Sequence, residues 1–199
     1  FKDVPTMIGC TSQEFVNDSY VNGGDMHLPD REKAYADGES SVGSGEAFLK
    51  AIHYDTDKEY AAKMYATCVG MTGSTYAGDI AFCKAQVANG HIPSYQYFLT
   101  LVPPGAQTAH HSAEHQYVFQ TLPKSSRPYT GKDWDLSNKL ADYWANFIKT
   151  GNPNGSTVPE WTPYTAQNPK AMDIDYDLHM IDQQTNELID LLVEKDLRK

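Results

Sequence analysis

The sequence predicts an α/β fold, on three observations. Val4–Thr11 and Ser94–Val102 are short, apolar or aromatic runs that read as strands. The stretches between and after them carry apolar residues at the helical period. The chain has 199 residues, enough for one large domain or two small ones, each with a real core.

The elements follow in order. Val4–Thr11 ends at Gly9-Cys-Thr and leads into a loop carrying Gln13 and Glu14. Residues 16–45, rich in Gly, Asp, Asn and Ser, predict a long surface excursion. From Ser44 to Val87 the pattern is helical: Phe48, Ile52, Tyr60, Met64 and Tyr65 recur near the helical period, and a further helix is expected over Gly78–Val87. Ser94–Val102 is the clearest strand, and Pro103-Pro-Gly105 ends it and opens a loop toward His110 and His111. A strong helix is predicted at Lys132–Thr150, with Thr130 and Asp133 placed for a capping box. Leu136, Leu140, Trp144 and Phe147 form its apolar stripe, and Gly151 suits the position just past its end. Asn152-Pro-Asn-Gly155 reads as a turn, Ala171–Ile174 as a short strand and Glu187–Lys199 as an amphipathic helix.

Composition excludes several classes. Forty per cent apolar and 21% charged residues are globular values, which argues against disorder. The net charge of −10, with no Lys/Arg cluster, argues against nucleic acid as a partner. No run is long and apolar enough for a membrane span, so a soluble protein with no membrane partner is expected. FKDVPTMIGC lacks a signal-peptide layout and enters a strand at once, which predicts that the sequence starts inside a larger one and leaves the compartment unknown. Cys10, Cys68 and Cys83 have no metal or redox spacing and read as buried or free thiols. Asn17-Asp-Ser19 and Asn154-Gly-Ser156 are formal glycosylation triplets.

The segment His111-Ser-Ala-Glu-His115 supports two chemistries that exclude each other. As H-x-x-E-H it matches an inverted zinc-protease motif, with His111 and His115 on one helical face, Glu114 as base and Glu187 as a third ligand. Pro-Pro-Gly before it and Tyr117-Val-Phe119 after it leave little helix for that role. As a loop after a strand, the segment instead offers His111 as the general base of a serine hydrolase. Glu14, at an earlier strand-to-loop junction, is then the acid that orients the ring and stabilises its charged form.

Several motifs together resemble the C-terminal portion of a type-B carboxylesterase, the cholinesterase and para-nitrobenzyl-esterase family. MIGCTSQEF (Met7–Phe15) resembles the family's segment bearing the triad acid, which implies Glu14. GAQTAHHSAEHQYVF (Gly105–Phe119) resembles the segment bearing the triad histidine, which implies His111 rather than His110. LSNKLADYWANFIKTGNPNG (Leu136–Gly155), followed by Trp161-Thr-Pro-Tyr164, resembles the late helix, turn and tryptophan, and is the most specific block.

The resemblance implies that residues 1–199 are a single C-terminal segment of an α/β-hydrolase domain, a few mostly parallel strands packed with helices. It implies ester hydrolysis without cofactor or metal. One departure is large: the chain contains no G-x-S-x-G, since Gly38-Glu-Ser40 is followed by Val42 where the second glycine belongs. The oxyanion-hole glycines are absent too. The expectations are therefore an ester substrate in the complete enzyme, an N-terminal segment of the same hydrolase as partner, and inactivity of this chain alone. An uncovered sheet edge suggests a homodimer. A non-catalytic interaction module is the alternative from another class.

Overall fold

The computed structural model describes residues 4–14, 28–69, 72–90 and 93–198. The first part of the predicted excursion, the Asn17-Asp-Ser19 triplet and the Cys68 side chain lie outside the described residues. In chain order the elements are β1 (Thr6–Thr11), α1 (Arg31–Val42), α2 (Gly45–Ala51), α3 (Lys58–Val69), α4 (Thr72–Ala88) and β2 (Ser94–Leu99). There follow α5 (His115–Val118), a 3₁₀ turn (Leu122–Lys124), α6 (Gly131–Thr150), β3 (Lys170–Ile174), β4 (His179–Asp182) and α7 (Glu187–Leu197). By packing, Phe1–Gln13 and Cys83–Gln183 form one unit; Glu14–Phe82 and Gln184–Lys199 form a second.

The first unit is built on a sheet of order β1-β2-β3-β4. β1 pairs with β2 in parallel, from Thr6 opposite Ser94 to Thr11 opposite Leu99. β2 pairs with β3 in parallel and β3 with β4 in antiparallel fashion. β2 is buried at every position but Phe98, as expected of a parallel strand covered on both faces. Gly9 is dictated by this packing: a Cβ there would lie 2.3 Å from the Tyr97 carbonyl oxygen and 2.4 Å from its Cγ. β4 is the strand the sequence did not announce, because its four residues are partly or fully exposed and carry no alternation.

Trp161 fills the centre of this core. It is fully buried and meets Tyr95, Tyr97 and Tyr143 edge-on at ring separations of 6.2, 6.3 and 5.2 Å. Its indole N–H donates to the Gln96 carbonyl at 3.1 Å. Asn154 seats the same residue: its Oδ1 accepts from the Trp161 amide at 2.6 Å, and its Nδ2 donates to the Trp161 carbonyl at 2.9 Å. That Nδ2 also donates to Asn152 Oδ1 at 2.9 Å. On α6, Leu136, Leu140 and Tyr143 are buried, with Trp144 and Phe147 packed alongside. Gly151 closes the helix at φ 75°, its N–H on the Phe147 carbonyl at 2.7 Å.

The second unit corrects the predicted excursion, since residues 31–42 are helical. Asp30 caps α1 by accepting from the Lys33 amide at 2.9 Å, and Gly43 ends it in the left-handed region. The buried face of α1 is Ala34, Gly38 and Val42, a stripe of small residues with little hydrophobic signal. Small size is what the packing requires: a Cβ on Gly38 would stand 2.5 Å from the Cβ of Phe48 on α2. Lys195 on α7 donates from Nζ to the Ser40 carbonyl at 2.9 Å and to that of Ser41, satisfying orphan acceptors at the end of α1. Asn186 caps α7 on the Ile189 amide at 2.9 Å. No described helix is long and apolar enough to cross a membrane.

Candidate active site

β1 does not stop at its last paired residue. The Ser12 amide donates to the Leu99 carbonyl at 2.8 Å, and Gln13 then makes a parallel bridge with His110. The Gln13 side chain accepts from the Ala109 amide at 3.0 Å. Both main chain and side chain of Gln13 thus hold the loop that leads to the predicted base. Glu14, the next residue, is 6% exposed and is grouped with the second unit. The segments bearing the two predicted site residues therefore meet, within the first unit, one position before each of them.

His111 is exposed on a tight turn. The His110 carbonyl accepts from the Ala113 amide at 3.0 Å, and Ser112 stands between them at φ 63°, unusual for a residue with a side chain. Ala109 and Ala113, at 0% and 3% exposure, anchor the turn in the core on either side. Helix α5 begins only at His115, so His111 lies outside it and the two histidines share no helical face. The geometry that the zinc motif needs is thereby lost. Among the described residues, no group of three or more His, Cys, Asp or Glu is placed to hold a metal ion.

Behind the turn lies a polar layer, of which the sequence marks only the Thr130–Asp133 capping box. The Tyr97 hydroxyl, rising from β2, donates to Glu114 Oε1 at 3.3 Å. Glu114 is 9% exposed, and its Oε2 has no hydrogen-bond partner among the described residues. In the first turn of α6, Asp133 is fully buried and accepts four hydrogen bonds. Tyr117 and Tyr176 donate to its Oδ1, each at 2.8 Å, while the Thr130 amide and hydroxyl donate to Oδ2 at 2.7 and 3.0 Å. Burial alone would raise the Asp133 pKa, but these donors outweigh it and hold the carboxyl below its ordinary value. Burial and the Asp133 carboxylate push the Tyr176 phenol up to about 12, and Tyr117 is raised further. Ser137 completes the attachment by donating to the Tyr117 carbonyl at 2.7 Å.

Arg127 was likewise absent from the sequence expectations. Its guanidinium donates to the Pro104 carbonyl at 3.2 Å and faces His110 Nε2 at 3.4 Å. Its partners are 23 and 17 residues away, and no local pattern links them.

Comparison with known proteins identifies this architecture. The model of the carboxylesterase family matches residues 1–191. The chain belongs to the carboxylesterase family. Bovine (Bos taurus) carboxylesterase 4A is 37% identical over 82 residues, covering 38% of this chain and 15% of that protein. Chicken (Gallus gallus) acetylcholinesterase is 37% identical over 67 residues, covering 33% and 9% of the two chains. A solved PNB esterase superposes with a TM-score of 0.71 at 24% identity, covering 94% of this chain and 38% of the other. That likeness establishes the α/β-hydrolase fold, as the sequence predicted for a type-B carboxylesterase segment. The matched stretches span less than a fifth of the first two relatives and under half of the solved esterase.

Proposed function

We propose that this chain is the acid- and base-bearing part of a serine carboxylesterase. Glu14 orients His111 and stabilises its charged form, and His111 takes the proton from a serine that lies outside these residues. The serine oxygen attacks the ester carbonyl, the imidazolium returns the proton to the departing alcohol, and water then releases the acid from the acyl-enzyme. The observation that carries this reading is the Gln13–His110 bridge, one residue before the acid and the base on the two segments that resemble the family's triad-bearing segments.

The chain itself contains no G-x-S-x-G and is expected to be inactive alone. The outer edge of β1 faces no other described strand, and in the complete enzyme it pairs with the N-terminal segment. Without that segment, the same edge pairs with a second copy of the chain, which sedimentation reads as a dimer. The decisive experiment joins the chain to the N-terminal segment from its own reading frame and follows hydrolysis of a para-nitrophenyl ester. Glu14→Gln and His111→Ala should each lower kcat on the order of 10⁴-fold. Full turnover in His111→Ala, or fluorophosphonate labelling of the isolated chain, would overturn the reading.

A further inference from the structure

We propose that His110 is a positioning residue for the base, held in its neutral Nδ1–H form between the His111 carbonyl and the Arg127 guanidinium. This rests on reading His111 as the base. His110 Nδ1 lies 3.0 Å from the His111 carbonyl oxygen, and Nε2 lies 3.4 Å from Arg127 Nη2. A carbonyl oxygen only accepts, so Nδ1 carries a proton; a guanidinium only donates, so Nε2 presents its lone pair. One form of the ring satisfies both contacts. The other neutral tautomer loses both, and the imidazolium turns an N–H toward the Arg127 cation.

The contact matters because of which carbonyl is held. The His111 carbonyl belongs to the peptide that enters Ser112, and the orientation of that peptide sets the Ser112 φ of 63°. A side chain in the left-handed region needs its neighbours to keep it there. The His110 ring pins the peptide from one side, while the His110 carbonyl accepts from the Ala113 amide on the other. Arg127 supplies the fixed point: one nitrogen holds Pro104 where the loop begins, and another holds the His110 ring where it ends. Its planar fork serves both ends at once, which a lysine does not.

Long-range ¹H–¹⁵N correlation spectra of the histidine rings test the first half in the chain as it stands. His110 should display a protonated Nδ1 and a lone-pair Nε2 at neutral pH, and Arg127→Met should erode that preference. An Nε2–H ring, or a tautomer indifferent to Arg127→Met, overturns the proposal. This measurement does not depend on turnover, so it stands apart from the esterase reading. The second half uses the chain joined to its nucleophile-bearing segment. His110→Phe should lower kcat on the order of tenfold with KM nearly unchanged, because the base is misplaced rather than removed. His110→Asn, whose amide N–H replaces Nδ1–H, should recover most of that loss. If His111→Ala abolishes turnover while His110→Phe leaves it intact, positioning is refuted and the base survives. If His111→Ala is active, the base reading fails instead.

Discussion

The Asp133 carboxylate accepts the Tyr117 hydroxyl at 2.8 Å and thereby ties the N-terminus of α6 to the short helix directly behind His111. The same oxygen accepts Tyr176 at 2.8 Å, which brings in the turn between β3 and β4. Three segments are thus fastened by one buried charge.

Asp133→Asn should cost roughly 2 kcal/mol or more, because a buried charged acceptor is replaced by an amide that cannot satisfy the same donors. The effect should depend on pH. The folded Asp133 carboxyl titrates below its unfolded value of about 3.9, so its contribution is complete above that pH and fades as pH falls through the folded value. Urea midpoints of wild type and variant should converge in acid. Parallel curves down to the lowest accessible pH would show that the charge contributes nothing.

Alkaline titration reads the other side of the same contact. Tyr176 should ionise near pH 12, and Tyr117 above it, against about 10 for a tyrosine in the unfolded chain. Both phenols are neutral in the fold, so the stability they contribute is present below about pH 10 and falls as pH rises toward the folded values. Tyr176→Phe should remove an absorbance step near pH 12. An unchanged ultraviolet titration curve would contradict this assignment.

Gly9→Ala tests the closeness of β1 to β2. A methyl group 2.3 Å from the Tyr97 carbonyl oxygen has nowhere to go unless the strands separate. A loss of about 3 kcal/mol is expected from overpacking of this kind, read as a lower melting temperature. A variant as stable as wild type would mean that the strand pair yields easily.

Trp161→Ala should cost about 3–5 kcal/mol by leaving a cavity among Tyr95, Tyr97 and Tyr143. Trp161→Phe should cost less, about 1–2 kcal/mol, chiefly by leaving the Gln96 carbonyl without its indole donor. Denaturant midpoints rank the two variants; equal losses would deny the cavity any share, and a Trp161→Phe variant as stable as wild type would deny the hydrogen bond one.

What the sequence made legible follows from how local each cause is. β2 and α6 announce themselves because their burial is carried by large apolar side chains at regular spacing, and Thr130 and Asp133 mark the start of α6 within four residues. Helix α1 escaped because its buried face is Ala34, Gly38 and Val42, whose value lies in being small beside Phe48. The candidate residues Glu14 and His111 are read from their strand-to-loop positions and from the family resemblance of their segments. Their supports, by contrast, were invisible. Gln13 reaches Ala109 across 96 residues, and Tyr176 reaches Asp133 across 43, distances over which a single sequence carries no pattern.

Asn154 is the acceptor of a formal glycosylation triplet, yet its Nδ2 already donates to Trp161 and Asn152 while its Oδ1 receives the Trp161 amide. A sugar attaches through that same nitrogen. An enzyme meeting the folded chain would find the nitrogen engaged, and a sugar added to the nascent chain would take a donor from the loop that seats the central tryptophan. The triplet is thus a structural clasp whose spelling coincides with an address for carbohydrate. Mass spectrometry of the chain expressed through a secretory route should find Asn154 bare.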